Sequence, residues 1–357
     1  MGKKKLSMGD SLTGLLIDGV PNTPWVVGTL TYDSKHGVRV EAPFISDGVE
    51  QFSSVSEWAK YMRPPSNLVF MSDRQNITLY DCRVTSSRET IGGNSLSNVQ
   101  ITPREVVLKD REGDHEDELK IVEMRSHIDG LSEWTNFRST KVSTERDEEG
   151  LSKKLTVEVE SREPISWKIG EVTYSLQGDW SATRDTLGME VREWVSLHTA
   201  FETPRPCSEH LAHQRKFVSL LALVCGTAVC FRKHEVRDSR FSVMKDIEGG
   251  RHTPFFELIS SDTVGDYERP RDFKRLSRPL VTLRQVGREG LEKWFNSYEE
   301  WERVIQPVAG TLQRPRSYVE DHVVNACMGL EAAGHILGEI TGEGQTYSRG
   351  ELVRWIV

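Results

Sequence analysis

The sequence of 357 residues contains few cysteines, no long apolar run and none of the common nucleotide-binding or hydrolase signatures. Its five cysteines include no C-x-x-C pair, so the pattern predicts neither a disulfide framework nor a cysteine-based zinc site. The P-loop, the G-x-G-x-x-G turn, H-E-x-x-H and G-x-S-x-G are all missing from the sequence. We therefore expect no cofactor and no metal ion.

The longest apolar run, from Phe217 to Phe231, is too short to span a bilayer and is interrupted by Ser219 and Gly226. It predicts a buried helix that leads into a buried strand. The basic start, MGKKKLSMGD, lacks the apolar segment of a signal peptide. These features predict a cytoplasmic protein without membrane contact. The net charge of -8 argues against a surface that binds nucleic acid over its whole area.

Short segments of alternating apolar and polar residues dominate residues 10–200. TPWVVGTLTY and VRVEAPF, separated by the turn sequence DSKHG, predict a β-hairpin. ELKIVEM, LTVEVES and ISWKIGEVTYSL repeat the pattern between polar turns. This spacing predicts a β-rich domain of the sandwich or barrel-like type.

Helical periodicity appears in the later part of the sequence. Leu291, Phe295 and Tyr298 lie at helical spacing in one segment, and a narrow apolar stripe runs from Val319 to Leu337. The predicted fold class is therefore α+β, with a β-rich N-terminal domain, a mixed middle region and C-terminal helices. We divide the chain into a flexible basic tail (1–9), a main region (10–310, β-rich over 10–200 and mixed α/β over 201–310) and a helical segment (313–357).

Two groups of residues are candidates for binding. His210 and His213 have the spacing of metal ligands on one helical turn, although surface histidines near a helix start are the simpler interpretation. The segment ERPRDFKRLSRP could hold a nucleic-acid backbone or could be a solvated basic loop. Its candidate nucleic-acid-binding residues are Arg269, Arg271, Lys274, Arg275 and Arg278.

Five segments, in order, resemble the ApeA N-terminal domain family. They are LLIDGVPNTPWVVGTLTYDSKHGVRVEAPF, NLVFMSDRQNITLYDCRV, SHIDGLSEWTNF, FETPRPCSEHLAHQRKFVSLLALVCGTAV and EGLEKWFNSYEEWERVIQPVAGTL. The resemblance extends from Leu12 to Gly310. It implies a protein of prokaryotic antiphage defence, of the kind called abortive infection.

In this family the N-terminal region is followed by an all-helical HEPN domain, and RSYVEDHVVNACMGLEAAGHILG resembles the first HEPN helix. The resemblance implies that residues 313–357 are a truncated start of that domain. HEPN domains of this type are metal-independent RNases with an R-x(4–6)-H motif on a late helix. Arg316 and His322 fit the motif's spacing but lie on the first helix, and Arg192 with His198 fits it equally well.

Three hypotheses of function remain. The first is a sensor or binding portion of a HEPN RNase system that is not catalytic as this chain alone. Its partners would be a phage or host trigger, RNA through a partner domain, and a second copy or a helical polypeptide docked on Val319 to Leu337. The second is an active RNase that uses Arg316 and His322. The third is a ligand- or carbohydrate-binding β-sandwich, with these tryptophans available for stacking: Trp25, Trp134, Trp167 and Trp180.

Overall fold

Strands account for more than half of the described residues up to Ser260. The computed structural model describes residues 6–17, 25–45, 52–88, 96–109, 118–184, 188–238, 241, 244–245, 251–267, 279–314 and 318–341. These residues form two compact units. The first takes its residues from Met1–Ser132, Phe137–Gln214 and Cys230–Arg271, and the second from Glu133–Asn136, Arg215–Val229 and Asp272–Val357.

The strands of the first unit are paired antiparallel, and the longest of them are Val172–Arg184 and Met189–Pro206. They are β1 (Ser11–Ile17), β2 (Val26–Asp33), β3 (Gly37–Ile45), β4 (Leu68–Met71), β5 (Asn76–Tyr80), β6 (Arg83–Arg88), β7 (Leu96–Thr102), β8 (Glu105–Val107), β9 (Lys120–Ile128), β10 (Thr140–Arg146), β11 (Ser152–Val159), β12 (Ile165–Ile169), β13 (Val172–Arg184), β14 (Met189–Pro206), β15 (Phe231–Arg237), β16 (Met244–Lys245), β17 (Arg251–His252) and β18 (Phe256–Ser260).

Fourteen of these strands form one continuous sheet, in the order β12-β13-β14-β9-β15-β18-β8-β5-β4-β1-β2-β3-β7-β6. β10 pairs with β11, and β16 with β17, as separate two-stranded sheets. The helices are α1 (Ser53–Tyr61), α2 (Leu131–Thr135), α3 (Cys207–Cys225), α4 (Leu283–Leu312) and α5 (Val319–Thr341). The α+β class predicted from the sequence is therefore confirmed.

Alternation along the strands builds the core of the first unit. In β2 and β3 every second side chain is buried, as expected where one face of a sheet is covered. Leu30, Val40 and Phe44 are fully buried in this core, together with Phe70 of β4. Each such side chain stabilises the fold by about 1.5–3 kcal/mol through the removal of apolar surface from water.

The predicted hairpin of β2 and β3 is confirmed, with Tyr32 opposite Val38. Its turn is held by Asp33, whose Oδ1 accepts hydrogen bonds from the backbone N–H groups of Lys35 and His36. Gly37 closes the turn with φ of 73°, a left-handed conformation that glycine adopts without strain. The local turn sequence is therefore sufficient to explain the hairpin.

The second unit is helical and has aromatic anchors. The indole N–H of Trp294 donates to the Lys216 carbonyl at 3.0 Å. Tyr298 and Ile305 of α4 are buried in a small core with Ala309, against which Leu223 packs. The buried residues of α4 recur at helical spacing, as the sequence predicts. None of the described helices combines the length and apolarity that crossing a bilayer would need.

Helix α5 packs against α4 through a glycine. A Cβ atom on Gly329 would lie 2.8 Å from Val308 Cγ2 and 3.3 Å from the Val304 carbonyl oxygen, so only glycine permits this approach. The apolar stripe predicted for this helix lies elsewhere on its surface, because Val319, Val323 and Leu330 are exposed. The helix therefore has one face on α4 and a second, apolar face that no other described residue covers.

Candidate functional site

The neighbouring strands β9, β14 and β15 carry polar side chains on one face of the large sheet. Register places Arg125 of β9 opposite His198 of β14 and opposite Glu235 of β15. Directly opposed residues of an antiparallel pair share a face, so these side chains meet. We call this group, with its neighbours, the charged cluster: Glu123, Arg125, His127, Asp179, Ser196, His198, Lys233, Glu235 and Arg237.

Glu235 lies among the cations of the cluster. Its carboxylate accepts a hydrogen bond from Arg125 Nε at 2.7 Å and one from Lys233 Nζ at 3.0 Å, and His127 Nε2 lies 3.6 Å away. Burial by itself would raise the pKa of Glu235, but His127, Arg125 and Lys233 together outweigh burial and hold this pKa well below its usual range. Glu235 is therefore a fixed negative charge that orients three basic side chains.

A hydrogen-bonded chain runs through the other half of the cluster. His198 Nδ1 donates to Glu123 Oε1 at 3.0 Å, because an ionised carboxylate can only accept. The other ring nitrogen, Nε2, lies 2.9 Å from Ser196 Oγ, and the Ser196 hydroxyl donates to Asp179 Oδ2 at 2.7 Å. Burial acts to raise the pKa of Glu123, but His198 and Arg237 lower it below its usual value.

This chain of carboxylate, imidazole and hydroxyl has the order found in nucleophilic relays. However, the single proton of Ser196 is directed to Asp179 rather than to His198, and Ser196 is fully buried. A substrate carbonyl or phosphorus atom therefore has no approach to its oxygen. The geometry supports a rigid polar scaffold and not a serine nucleophile.

The cations of the cluster lie outside its carboxylates. The side chains of Arg237 and Lys233 are 47% and 35% exposed, whereas those of Glu123 and Glu235 are 13% and 11% exposed. The Phe255 ring supports two of the guanidinium groups, at 4.3 Å from Arg125 Cζ and 5.0 Å from Arg237 Cζ. Arg237 and Lys233 are thus ordered cations at the outer side of the cluster, with Glu257 Oε2 3.7 Å from Lys233 Nζ. Ordered cations of this kind complement acidic groups of a partner.

The pocket beside β5, β8 and the first residues of α3 contains a second unusual carboxyl group. The pocket has a volume of about 290 Å³ and is lined by Tyr80, Arg104, Glu105 and Cys207, among others. Burial raises the pKa of Glu105 to about 7, while Arg104, whose Nε lies 3.6 Å from Glu105 Oε1, opposes this rise. Glu105 can therefore exchange a proton near neutral pH.

Most of the site residues predicted from the sequence lie outside the described residues. These are Arg269, Arg271, Lys274, Arg275, Arg278 and Arg316. His322 is described: it is exposed in the first turns of α5, and its backbone N–H donates to the Tyr318 carbonyl at 3.3 Å. The structure therefore assigns no geometry to the pair of Arg316 and His322.

The two histidines considered as metal ligands have other partners. His210 is buried, with Nδ1 3.0 Å from Thr199 Oγ1 and Nε2 3.1 Å from the Ile121 carbonyl oxygen. His213 Nδ1 lies 2.5 Å from the Tyr174 hydroxyl oxygen. Burial lowers the pKa of His210 to about 4. The interpretation of His210 as a surface histidine was wrong, since α3 directs this ring into the sheet.

The tryptophans considered for carbohydrate stacking divide into two groups. Trp134 and Trp167 are buried, and the Trp134 indole donates to the Val281 carbonyl at 2.8 Å. Trp25 and Trp180 are exposed.

The charged cluster was not predicted from the sequence, although two alternating triplets indicate it: Glu123, Arg125, His127 and Lys233, Glu235, Arg237. Each places three charged or titratable groups on one face of a strand.

A comparison with protein families identifies the family of this chain. A family model described as ApeA N-terminal domain 1 matches residues 19–296, a range that contains the whole charged cluster. The chain therefore belongs to the ApeA N-terminal domain family, and it is an antiphage-defence-associated protein. The match ends before α5, so it does not extend to the segment that resembles a HEPN helix. No curated protein matches the chain.

Proposed function

We propose that this chain is the sensing portion of an abortive-infection system that contains a HEPN RNase, and that it does not cut RNA as this chain alone. In this proposal the protein acts in the cytoplasm, and a phage or host component is its trigger. The observation that carries the proposal is the charged cluster. Its outward cations are oriented by buried carboxylates, as expected of a surface that is ordered before a partner binds.

The second element of the proposal is the exposed apolar face of α5. Residues 313–357 would be the start of a HEPN-like domain, and the face of Val319, Val323 and Leu330 would receive the helices of a partner polypeptide or of a second copy. Apolar residues on a helix that already packs on α4 through Gly329 support this role. RNA would then be bound and cleaved by the partner domain, at a composite site.

The proposal is tested by phage infection of bacteria that carry the intact locus. We expect Lys233→Glu combined with Arg237→Glu to raise phage plating at least about tenfold relative to wild type, because both outward charges of the cluster are reversed. Lys168→Glu is the matched control: it reverses an exposed charge on β12 and should leave plating unchanged. Circular dichroism of the purified variants checks that each is folded.

Two results would contradict the proposal. One is equal protection by the wild type and the cluster variant. The other is cleavage of RNA by the purified full chain that is lost in His322→Ala, because this result would make the chain itself a HEPN-type RNase through Arg316 and His322.

A further inference from the structure

The hairpin of β10 and β11 exposes apolar side chains on a two-stranded sheet. Val142, Leu155 and Val157 are 61%, 64% and 44% exposed. Among the described residues, neither outer edge of this hairpin pairs with another strand. An isolated two-stranded hairpin is only marginally stable in water, and an uncovered edge is a template for pairing with another chain. A further strand would therefore stabilise the hairpin, and the backbone groups along its edges can pair with one.

The two faces of the hairpin differ in chemistry. Register places Val142 opposite Val157 and Thr144 opposite Leu155, so one face is uncharged near its centre. The other face carries Lys141 near Glu158 and Lys154 near Glu145, at N–O distances of 3.9 and 3.1 Å. A strand that is added to this hairpin must therefore place apolar residues on the uncharged face. On the other face it must place charges opposite in sign to those of the neighbouring strand.

Two copies of β11 that run antiparallel have complementary side chains. An antiparallel pairing centred on Thr156 places Lys154 opposite Glu158 of a second copy, and Leu155 opposite Val157 of that copy. The twofold symmetry repeats both pairs. Opposite charges and apolar residues that face each other directly stabilise an antiparallel pair, whereas any register shifted by one residue would break both matches.

We propose that two copies of this chain associate through their β11 edges, antiparallel and centred on Thr156, to form a four-stranded sheet. The β10 edge fits less well, because a pairing centred on Ser143 matches Lys141 with Glu145 but places Val142 opposite Thr144. The irregularity of the hairpin register lies at Lys153, outside the segment from Lys154 to Glu158. This surface shares no residue with the charged cluster or with α5.

Analytical ultracentrifugation of the full chain tests the proposal. The wild type is expected to be a dimer, and Lys154→Glu or Glu158→Lys alone should raise the dimer dissociation constant at least about tenfold, because like charges then face each other twice. An equimolar mixture of the two variants should restore dimers, since each variant carries the charges that the other requires. A loss of folding or of contacts within one hairpin cannot produce this rescue.

Lys168→Glu is the matched control, because it makes the same charge reversal at an exposed lysine of β12, outside the hairpin. It should leave the dimer intact. A monomeric wild type at about 100 µM, where a dimer of micromolar affinity is well populated, would overturn the proposal. A dimer that resists both β11 variants, or that is broken by Lys168→Glu as well, would overturn it equally.

Discussion

Folding raises the proton affinity of Glu105, and this change makes the stability of the protein depend on pH. Burial raises its pKa from 4.5 to about 7, so the folded protein binds a proton that the unfolded chain releases between these values. The stabilisation by this group is complete below about pH 4.5 and is lost as pH rises through about 7. At alkaline pH the folded protein contains a buried carboxylate that is only partly compensated by Arg104.

Glu105→Gln is therefore expected to remove this pH dependence. Relative to wild type, the variant should gain about 3 kcal/mol in free energy of unfolding between about pH 5 and pH 8, since one pKa unit corresponds to about 1.4 kcal/mol. Urea denaturation across this pH range measures the difference. Glu171→Gln, at an exposed carboxyl group outside this pocket, is the control. A difference between Glu105→Gln and wild type that does not change with pH would show that Glu105 is ionised throughout.

In the charged cluster, the sequence indicates which residues share a face of one strand but not which residues of different strands are in contact. The alternation within β9 and within β15 is visible in the printed chain. The contact of Arg125 with Glu235 joins residues that are 110 positions apart, and the contact of His198 with Glu123 spans 75 positions. Such pairs depend on strand order and register, which one sequence without a structure does not specify.

At the scale of helices and strands, local periodicity was sufficient for most elements. The run from Phe217 to Phe231 was predicted as a buried helix leading into a buried strand. α3, which ends at Cys225, confirms the helix, whereas β15 begins only at Phe231, the last residue of the run. The β2–β3 hairpin was predicted because its turn sequence has strong local preferences. The face of α5 that contacts α4 was not predicted, because it is selected by the missing Cβ atom of Gly329 rather than by apolar residues.

Two glycines of α5 give a matched pair for testing that contact. Gly329→Ala is expected to destabilise the helical unit by about 1–3 kcal/mol, because the new Cβ atom would overlap Val308. Gly334→Ala has open space around it and should instead stabilise the helix by about 1 kcal/mol. Chemical denaturation followed by helical circular dichroism measures both effects. Equal effects of the two substitutions would mean that α5 does not pack on α4 in this way.

At the scale of the whole molecule, three surfaces have different proposed roles. The charged cluster on the large sheet is proposed to meet the trigger, the open face of α5 to receive the partner helices, and the β11 edge to join two copies. Because these surfaces share none of their residues, each can be altered separately. Variants of one surface should therefore leave the properties of the other two unchanged, apart from their effects on folding.

Contact of the trigger with the charged cluster is the central claim, and lysine footprinting tests it most directly. The full chain is isolated from phage-infected and from uninfected bacteria, and amine labelling is measured by mass spectrometry at Lys233 and, as an exposed control, at Lys168. We expect infection to lower the labelling of Lys233 at least about fivefold, because a surface amine that is buried in an interface reacts more slowly, and to leave the labelling of Lys168 unchanged. Equal labelling of Lys233 in both preparations, under infection that triggers the defence, would contradict it.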